Sequence, residues 1–351
     1  MRRVIPAAKL FCFPSDAVYA TKWAVLLDAV LLIVGLALVV KGGDLFVSAA
    51  VWLADAARVP RVVIGATLVS LATTAPELVV SAMAGFKGVS DLAVGNAVGS
   101  CICNIGLIFG LTAALKHVDV HPPALRVPLL AMFGFAVLLF LMVLDMELAQ
   151  WQGIVLIACG AGYFGYDFIR HARFFRPEEE AEAAELATSA VARGPAFRGF
   201  AGRAVEFVLG AALVVVGSHL LVEAAVEIAV ALGVPRMIIG LTVVAVGTSL
   251  PELVTAVTSS RKGVSDVAVG NVLGANIANL TLIVGTAAAL TQVRLSRVTE
   301  LFNFPVLLAV FGLMLWMLLT DRRVTRREGA VLLATYGLYL TGLVIVTLAE
   351  H

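Results

Sequence analysis

Charged residues are scarce in this sequence, and their scarcity argues against a soluble globular protein. Only 14% of the 351 residues are charged and 61% are hydrophobic, whereas a soluble domain needs polar side chains to cover its surface. The formal net charge is +1, which gives no basic surface for nucleic acid. The runs 127–144 and 302–320 hold no charged residue and are long enough for transmembrane helices. The composition therefore indicates a protein that crosses a lipid bilayer several times.

Cysteine is also rare, and the motifs of intramembrane enzymes are missing. The chain has four cysteines, of which Cys101 and Cys103 form a Cys-x-Cys pair. No second pair or nearby histidine completes a zinc-type site, so we expect buried packing there, and no disulfide framework is indicated. The sequence has no His-Glu-x-x-His and no Gly-x-Ser-x-Gly motif. We expect neither an enzyme nor a cofactor.

What the sequence does contain is an internal repeat. Residues 65–106 and 240–281 align without a gap at an offset of 175, and 20 of the 42 positions are identical. Low complexity does not explain the match, because Pro, Glu, Asn, Lys and Asp are among the identical residues. We call two residues separated by this offset repeat mates. The duplication predicts two structural units of the same kind.

Hydropathy divides the chain into ten predicted spans, five in each repeat. The predicted spans are 24–56, 60–86, 91–115, 124–145, 149–169, 204–231, 235–260, 266–291, 299–320 and 328–348. An odd number of spans in each unit makes the second unit enter the membrane from the opposite side. The prediction is an all-α membrane protein of two inverted five-helix repeats, in which helices 2 and 7 are broken.

The distribution of basic residues predicts the orientation and the division into segments. With both termini outside, 16 of the 25 Lys and Arg residues fall on the cytoplasmic side, as the positive-inside rule requires. The predicted segments are an N-terminal tail at 1–22, the first repeat at 23–169, a cytoplasmic linker at 170–203 and the second repeat at 204–351. We expect a monomer in the cell (inner) membrane whose partners are lipid and inorganic cations.

Each repeat carries a Thr-Thr/Ser-x-Pro-Glu motif in the middle of an apolar span. The residues that carry chemistry are Thr73, Thr74, Pro76 and Glu77 in the first copy and Thr248, Ser249, Pro251 and Glu252 in the second. An ionisable residue at mid-membrane is costly and indicates a functional site. Each proline removes a backbone donor and frees carbonyl groups near Thr73 and Thr248, which must find partners in lipid.

The following span in each repeat adds polar side chains. Ser100 and Asn104 are one helical turn apart and share a face, and their repeat mates are Ala275 and Asn279. Ser100, Asn104 and Asn279, together with the glutamates and freed carbonyls, form an all-oxygen set, which suits Ca²⁺ and lacks the thiolate and imidazole ligands of transition metals. Two glutamates could equally hold two monovalent cations or two protons, so an exchange of ions at one site is indicated.

At these motifs the sequence resembles the cation/calcium exchanger superfamily and, within it, the prokaryotic sodium/calcium exchangers. The resemblance implies a Ca²⁺ site of the Glu77 and Glu252 side chains with the carbonyls of Thr73 and Thr248. It implies one Na⁺ site of Ser249, Glu252, Ser100 and the carbonyl of Ala245, and a mirror site of Thr74, Glu77 and the carbonyl of Ser70. Asn104 and Asn279 would line the centre.

Two departures from the family pattern affect the monovalent ion. Ala275 stands where the pattern has Ser, and Asn279 stands where it commonly has Asp. Proton-coupled members typically carry Gly-Asn-Ala-x-Glu instead of Thr-x-Pro-Glu, so the resemblance favours Na⁺. The prediction is an antiporter that exports Ca²⁺ in exchange for Na⁺. The alternative is an H⁺/Ca²⁺ antiporter, whereas a channel is disfavoured because no continuous polar pore is evident.

Overall fold

The computed structural model describes residues 22–57, 59–86, 90–115, 118–119, 122–173, 200–231, 245–320 and 323–350. Nearly all of these residues are helical, and eight of the helices described are long and apolar enough to cross a membrane. These eight candidate spans are Leu27–Ala56, Ala93–Leu115, Leu125–Met142, Gln150–Arg170, Phe200–Val230, Ser265–Leu290, Thr299–Leu318 and Arg326–Thr347. The predicted class, an all-α membrane protein, is confirmed.

The helices of the first half include two π-helical stretches. In order they are α1 (Lys22–Ala57), α2 (Arg61–Ile64), π1 (Gly65–Val69), α3 (Ser70–Thr73), α4 (Ala75–Phe86), α5 (Ser90–Cys103), π2 (Asn104–Phe109), α6 (Gly110–Leu115), α7 (Pro122–Met142) and α8 (Gln150–Arg173). Strand β1 (Val118–Asp119) precedes α7, and strand β2 (Glu147–Leu148) follows it.

The second half has a similar order of elements. They are α9 (Phe200–Ala231), α10 (Ala245–Thr248), α11 (Leu250–Arg261), α12 (Ser265–Ala278), π3 (Asn279–Ile283), α13 (Val284–Leu290), β3 (Val293–Arg294), π4 (Thr299–Asn303), α14 (Phe304–Thr320), β4 (Arg323–Val324) and α15 (Arg326–Glu350). The predicted linker limits at 170 and 203 therefore lie inside helices. The predicted tail, apart from Lys22, and residues 174–199 lie outside the described residues.

Two helices are interrupted at the predicted motifs. Between α3 and α4, Thr74 has φ −86° and ψ −2°, and between α10 and α11, Ser249 has φ −95° and ψ 11°. In both cases the proline two residues later has no N–H to donate and cannot continue the helical hydrogen-bond ladder. We call these positions the first break and the second break.

The two longest helices, α1 and α9, pack antiparallel through glycines. A Cβ added at Gly35 would lie 2.9 Å from the carbonyl oxygen of Gly217, and one at Gly42 would lie 3.0 Å from that of Gly210. Gly210 and Gly217 are the repeat mates of Gly35 and Gly42. Small residues let the backbones of membrane helices approach closely, so the repeat supplies both sides of this contact.

Two pairs of very short strands connect loops that are distant in sequence. Strand β1 pairs antiparallel with β4, with Val118 opposite Val324. Strand β2 pairs antiparallel with β3, with Leu148 opposite Val293. Val293 is the repeat mate of Val118, and Val324 lies one residue beyond the repeat mate of Leu148, so the two strand pairs occupy nearly equivalent positions in the two halves. Each strand pair joins a loop of one half to a loop of the other by backbone hydrogen bonds.

Candidate cation-binding site

Glu77 and Glu252 begin the helices that follow the two breaks. Each lies in the first turn of a twelve-residue helix, α4 or α11, where the helix dipole stabilises a negative charge. Glu77 is 4% exposed and Glu252 is 1% exposed. The two carboxyl groups are close enough for their charges to repel. The fold therefore brings the two predicted glutamates together in the protein interior.

Several buried oxygens around this pair have no hydrogen-bond partner of normal geometry among the described residues. They are Glu77 Oε2, both carboxylate oxygens of Glu252, Ser100 Oγ, Ser249 Oγ, Asn104 Oδ1 and Asn279 Oδ1. A buried polar atom without a partner costs about 1–3 kcal/mol. All of these atoms are oxygens that can accept, and oxygens are the ligands that hard cations such as Ca²⁺ and Na⁺ need.

Packing between the halves explains why these residues meet. Helix α12 packs against α2, π1 and α3, which lead to the first break. Helix α10 packs against α5, and α11 packs against π2, so the second break faces the junction at Cys103 and Asn104. Each interrupted helix thus packs against the helix that follows the interrupted helix of the other half. The π-helical stretches beginning at Asn104 and Asn279 belong to a class of distortion that is frequent at functional sites.

The environments of the two breaks differ. At the first break, the Thr74 hydroxyl donates to the Ser70 carbonyl at 2.7 Å, and the Thr73 hydroxyl donates to the same carbonyl at 3.1 Å. At the second break, Ser249 Oγ is buried and has no such partner among the described residues. Ala275, the buried repeat mate of Ser100, contributes no oxygen from its side chain. The buried oxygens without a hydrogen-bond partner of normal geometry among the described residues are therefore more numerous on the Ser249 side.

The remaining predicted residues lie beside the breaks. Pro76 and Pro251 are the second residues of α4 and α11. Ala245 and Thr248 are the first and last residues of α10, directly before the second break. Thr73 lies at the end of α3, and its hydroxyl oxygen also lies 3.2 Å from Asn271 Oδ1, across the two halves.

Sequence reasoning missed one polar residue at the centre, Asn276. Its side-chain oxygen accepts a hydrogen bond from Asn104 Nδ2 at 3.0 Å, and its own Nδ2 lies 3.5 Å from Met132 Sδ. Asn276 is fully buried. Its repeat mate is Cys101, so comparing the two repeats gave no matching polar residue. The available signal was an additional Asn in the run Gly-Ala-Asn-Ile-Ala-Asn at 274–279.

We expect Asn276→Ala to destabilise the protein, because Asn104 Nδ2 loses its acceptor in a buried site. The expected loss in free energy of unfolding is about 1–3 kcal/mol, measured as a lower midpoint of thermal unfolding in detergent. Gly134→Ala in α7, where an added Cβ meets no atom within 4 Å, is the control and should leave the midpoint unchanged. Equal midpoints for wild-type protein and Asn276→Ala would contradict this role for Asn276.

A buried carboxylate pair between two interrupted helices, in a protein of many membrane-spanning helices, defines a membrane transporter for cations. The family model described as sodium/calcium exchanger protein matches residues 27–166 and 203–345. The chain therefore belongs to the sodium/calcium exchanger family, a family of membrane antiporters. The family resemblance that the motifs indicated is thereby confirmed.

Individual relatives and solved structures agree with this assignment. The chain is 36% identical to inner membrane protein YrbG of Escherichia coli, over 92% of this chain and 96% of that protein. It is 32% identical to sodium/calcium exchanger MaX1 of Methanosarcina acetivorans, over 88% of this chain and 96% of that protein. The fold matches a solved structure of the sodium–calcium exchanger NCX_Mj with a TM-score of 0.77 and 28% identity, over 91% of this chain and 99% of that one.

Proposed function

We propose that this protein is a secondary antiporter that exports Ca²⁺ in exchange for entering Na⁺ at one two-glutamate site. The observation that carries the proposal is the buried pair of Glu77 and Glu252. In the part of the chain that the structure describes, oxygens of Ser100, Ser249, Asn104 and Asn279 are buried there without hydrogen-bond partners of normal geometry. Two carboxylates would neutralise one Ca²⁺, and the surrounding oxygens would contribute to the roughly six to eight ligands that this ion takes. The Thr73 and Thr248 carbonyls would complete the set.

The difference between the two breaks supports one strong monovalent site. Ser249, Glu252 and Ser100 each have a buried oxygen without a hydrogen-bond partner of normal geometry among the described residues, and the Ala245 carbonyl would add another ligand. In the mirror set of Thr74, Glu77 and the Ser70 carbonyl, Ala275 stands in the place of Ser100 and adds no side-chain oxygen. Na⁺ would therefore bind first on the Ser249 side. Because it shares Glu252 with Ca²⁺, the two ions would exclude each other.

The proposed transport mechanism is alternating access by two inverted five-helix repeats with ten spans. The antiparallel glycine contact between α1 and α9 supports this arrangement, since its two sides are repeat mates. The strand pairs also support it, because each joins loops that the ten-span topology puts on one side of the membrane. In this topology both termini lie outside and the segment 170–203 is cytoplasmic. The proposed location is the inner membrane, with a monomer as the working unit.

A proton-coupled exchanger is the second candidate. Two closely placed buried carboxyl groups can share protons as well as metal cations, and Glu77 and Glu252 are such a pair. Asn279 also reduces the negative charge available to Na⁺, compared with the Asp of the family pattern. Both observations make H⁺/Ca²⁺ exchange on the same scaffold the alternative, and an experiment must distinguish it from Na⁺/Ca²⁺ exchange.

The experiment is Ca²⁺ uptake into proteoliposomes of the purified protein. Vesicles loaded with Na⁺ and diluted into Na⁺-free medium are expected to take up Ca²⁺, because outward Na⁺ movement drives the opposite movement of Ca²⁺. Vesicles with an acidic interior and no Na⁺ are expected to match protein-free vesicles. Uptake driven by the proton gradient alone would overturn the Na⁺ assignment in favour of the second candidate.

A further inference from the structure

A thiol lies among the proposed cation ligands. Cys103 is the last residue of α5 and is 2% exposed. It follows Ser100 by three residues and precedes Asn104 directly, so the three side chains fall on the same side of the helix. The sequence predicted Cys103 to serve packing alone, whereas its position is between two residues of the candidate site.

The surroundings of Cys103 belong to the second break. Its thiol lies beside the hydroxyl groups of Ser249 and Tyr336 and within electrostatic range of the Glu252 carboxylate. The packing of α10 on α5 and of α11 on π2 brings the second break to this point. Ser249 Oγ and both carboxylate oxygens of Glu252 are buried without hydrogen-bond partners of normal geometry among the described residues. A cation held by Ser249 and Glu252 would therefore lie within reach of the sulfur atom.

We propose that Cys103, Glu252 and Ser249 form a binding site for a soft divalent cation of calcium's size, such as Cd²⁺, which blocks exchange. The proposal rests on the proposed function, because it concerns the same site. Thiolate sulfur is a preferred ligand of soft metals and a poor ligand of Ca²⁺. Binding replaces the Cys103 S–H bond by a sulfur–metal bond and releases the proton to water, with no change of oxidation state.

The thiol ligand is present on one side of the site only, and the site has too few ligands to hold a metal ion permanently. The repeat mate of Cys103 is Ala278, so the soft ligand lies on the Ser249 side only. Within the part of the chain that the structure describes, no three acidic, thiol or imidazole groups cluster as a metal centre. The expected role is therefore sensitivity to a competing cation, and Ca²⁺ should displace Cd²⁺ because both need Glu252.

The other cysteines provide controls. Cys101 Sγ lies 3.7 Å from the Asn276 carbonyl oxygen, and Cys159 is a partly exposed residue of α8. Replacing Cys12, Cys101 and Cys159 with Ser leaves Cys103 as the single thiol of the full-length chain. The matched variant carries Cys103→Ala in addition, which installs the residue that occupies the mirror position.

The first test is direct binding of Cd²⁺ to the purified single-thiol protein in detergent. We expect an ultraviolet charge-transfer band of a cadmium–thiolate bond on titration with Cd²⁺, and its loss on addition of excess Ca²⁺. The variant with Cys103→Ala should give no band. A single-thiol protein that gives no band, or a band that Ca²⁺ does not reduce, would overturn the proposal. This readout does not depend on transport.

The second test is inhibition of Ca²⁺ uptake, scored as the Cd²⁺ concentration that halves each variant's own uptake. We expect Cys103→Ala to raise this concentration at least about tenfold, the scale on which loss of even a supporting contact lowers metal affinity. Cys101→Ser and Cys159→Ser should leave it unchanged. Equal sensitivity of wild type and Cys103→Ala would reject the inference. Absence of uptake in the wild type would instead reject the proposed function, and the charge-transfer band would still decide on Cys103.

Discussion

Glu252→Gln is expected to abolish Ca²⁺ uptake in proteoliposomes, and Glu77→Gln is expected to do the same. Glutamine keeps the size of the side chain, but it removes the charge and replaces one acceptor oxygen by an NH₂ group that cannot bind a cation. Both carboxyl groups are buried, so a divalent cation bound between them would lose half of its neutralising charge. Removing one partner of a buried charge pair costs about 3–5 kcal/mol, which corresponds to roughly a hundredfold or greater loss of affinity.

A matched control separates this effect from a general effect of losing a glutamate. Glu147 lies in strand β2 and pairs at the surface with Arg294, at 3.1 Å. Since exposed ion pairs contribute about 0–1 kcal/mol, Glu147→Gln should retain uptake. All three variants should be compared at equal amounts of reconstituted protein. Uptake that survives in either Glu77→Gln or Glu252→Gln would remove that residue from the site.

Gly274→Ala is expected to lower both the thermal stability and the uptake rate. A Cβ at Gly274 would collide with the Ala66 carbonyl oxygen and the Ser70 hydroxyl, where α12 packs against the first interrupted helix. The nearest atom is backbone, which cannot move aside by changing a side-chain rotamer. Overpacking of this kind costs about 1–3 kcal/mol. The displaced segment leads directly to Thr73, Thr74 and Glu77, so the site should be distorted as well.

Gly312→Ala is the control for this substitution. A Cβ at Gly312 would lie 4.0 Å from the Phe133 ring, which is ordinary van der Waals contact. Its midpoint of thermal unfolding and its uptake should match the wild type. If Gly274→Ala behaves like Gly312→Ala in both measurements, the close contact between α12 and the first interrupted helix does not support the site.

The central motifs could be predicted from sequence because their physics is local. Pro76 and Pro251 cannot donate a backbone hydrogen bond wherever the chain puts them, so an interruption nearby follows from chemistry alone. The structure has both interruptions, one at Thr74 and one at Ser249. The proximity of Glu77 and Glu252 was foreseeable for a similar reason. An intramembrane glutamate is costly and indicates a functional site, and the repeat places one such glutamate at the same position in each half.

Contacts between positions that are not repeat mates were not foreseeable in this way. Asn276 pairs with Asn104, although the repeat matches Asn276 to Cys101. Cys103 lies beside Ser249, although Cys-x-Cys spacing gave no reason to connect it with that residue. Both contacts depend on how one half packs against the other, which a comparison of the two repeats does not contain.

The two sides of the site also proved unlike in a way that residue types only partly indicated. Ala275 opposite Ser100 predicted one missing hydroxyl. The bond from Thr74 to the Ser70 carbonyl depends on a rotamer and has no counterpart in the sequence pattern, because Thr74 and Ser249 carry the same functional group. Predictions about the monovalent ion therefore require the structure more than predictions about Ca²⁺ do.

The most direct test of the two-glutamate site is anomalous diffraction from crystals of the full-length protein soaked with Sr²⁺, a heavier stand-in for Ca²⁺. We predict one principal peak between the two breaks, and in matched Ca²⁺ soaks metal–oxygen distances of about 2.3–2.6 Å to carboxylate oxygens of both Glu77 and Glu252. A principal peak elsewhere, or one held by only one of these glutamates, would contradict the account.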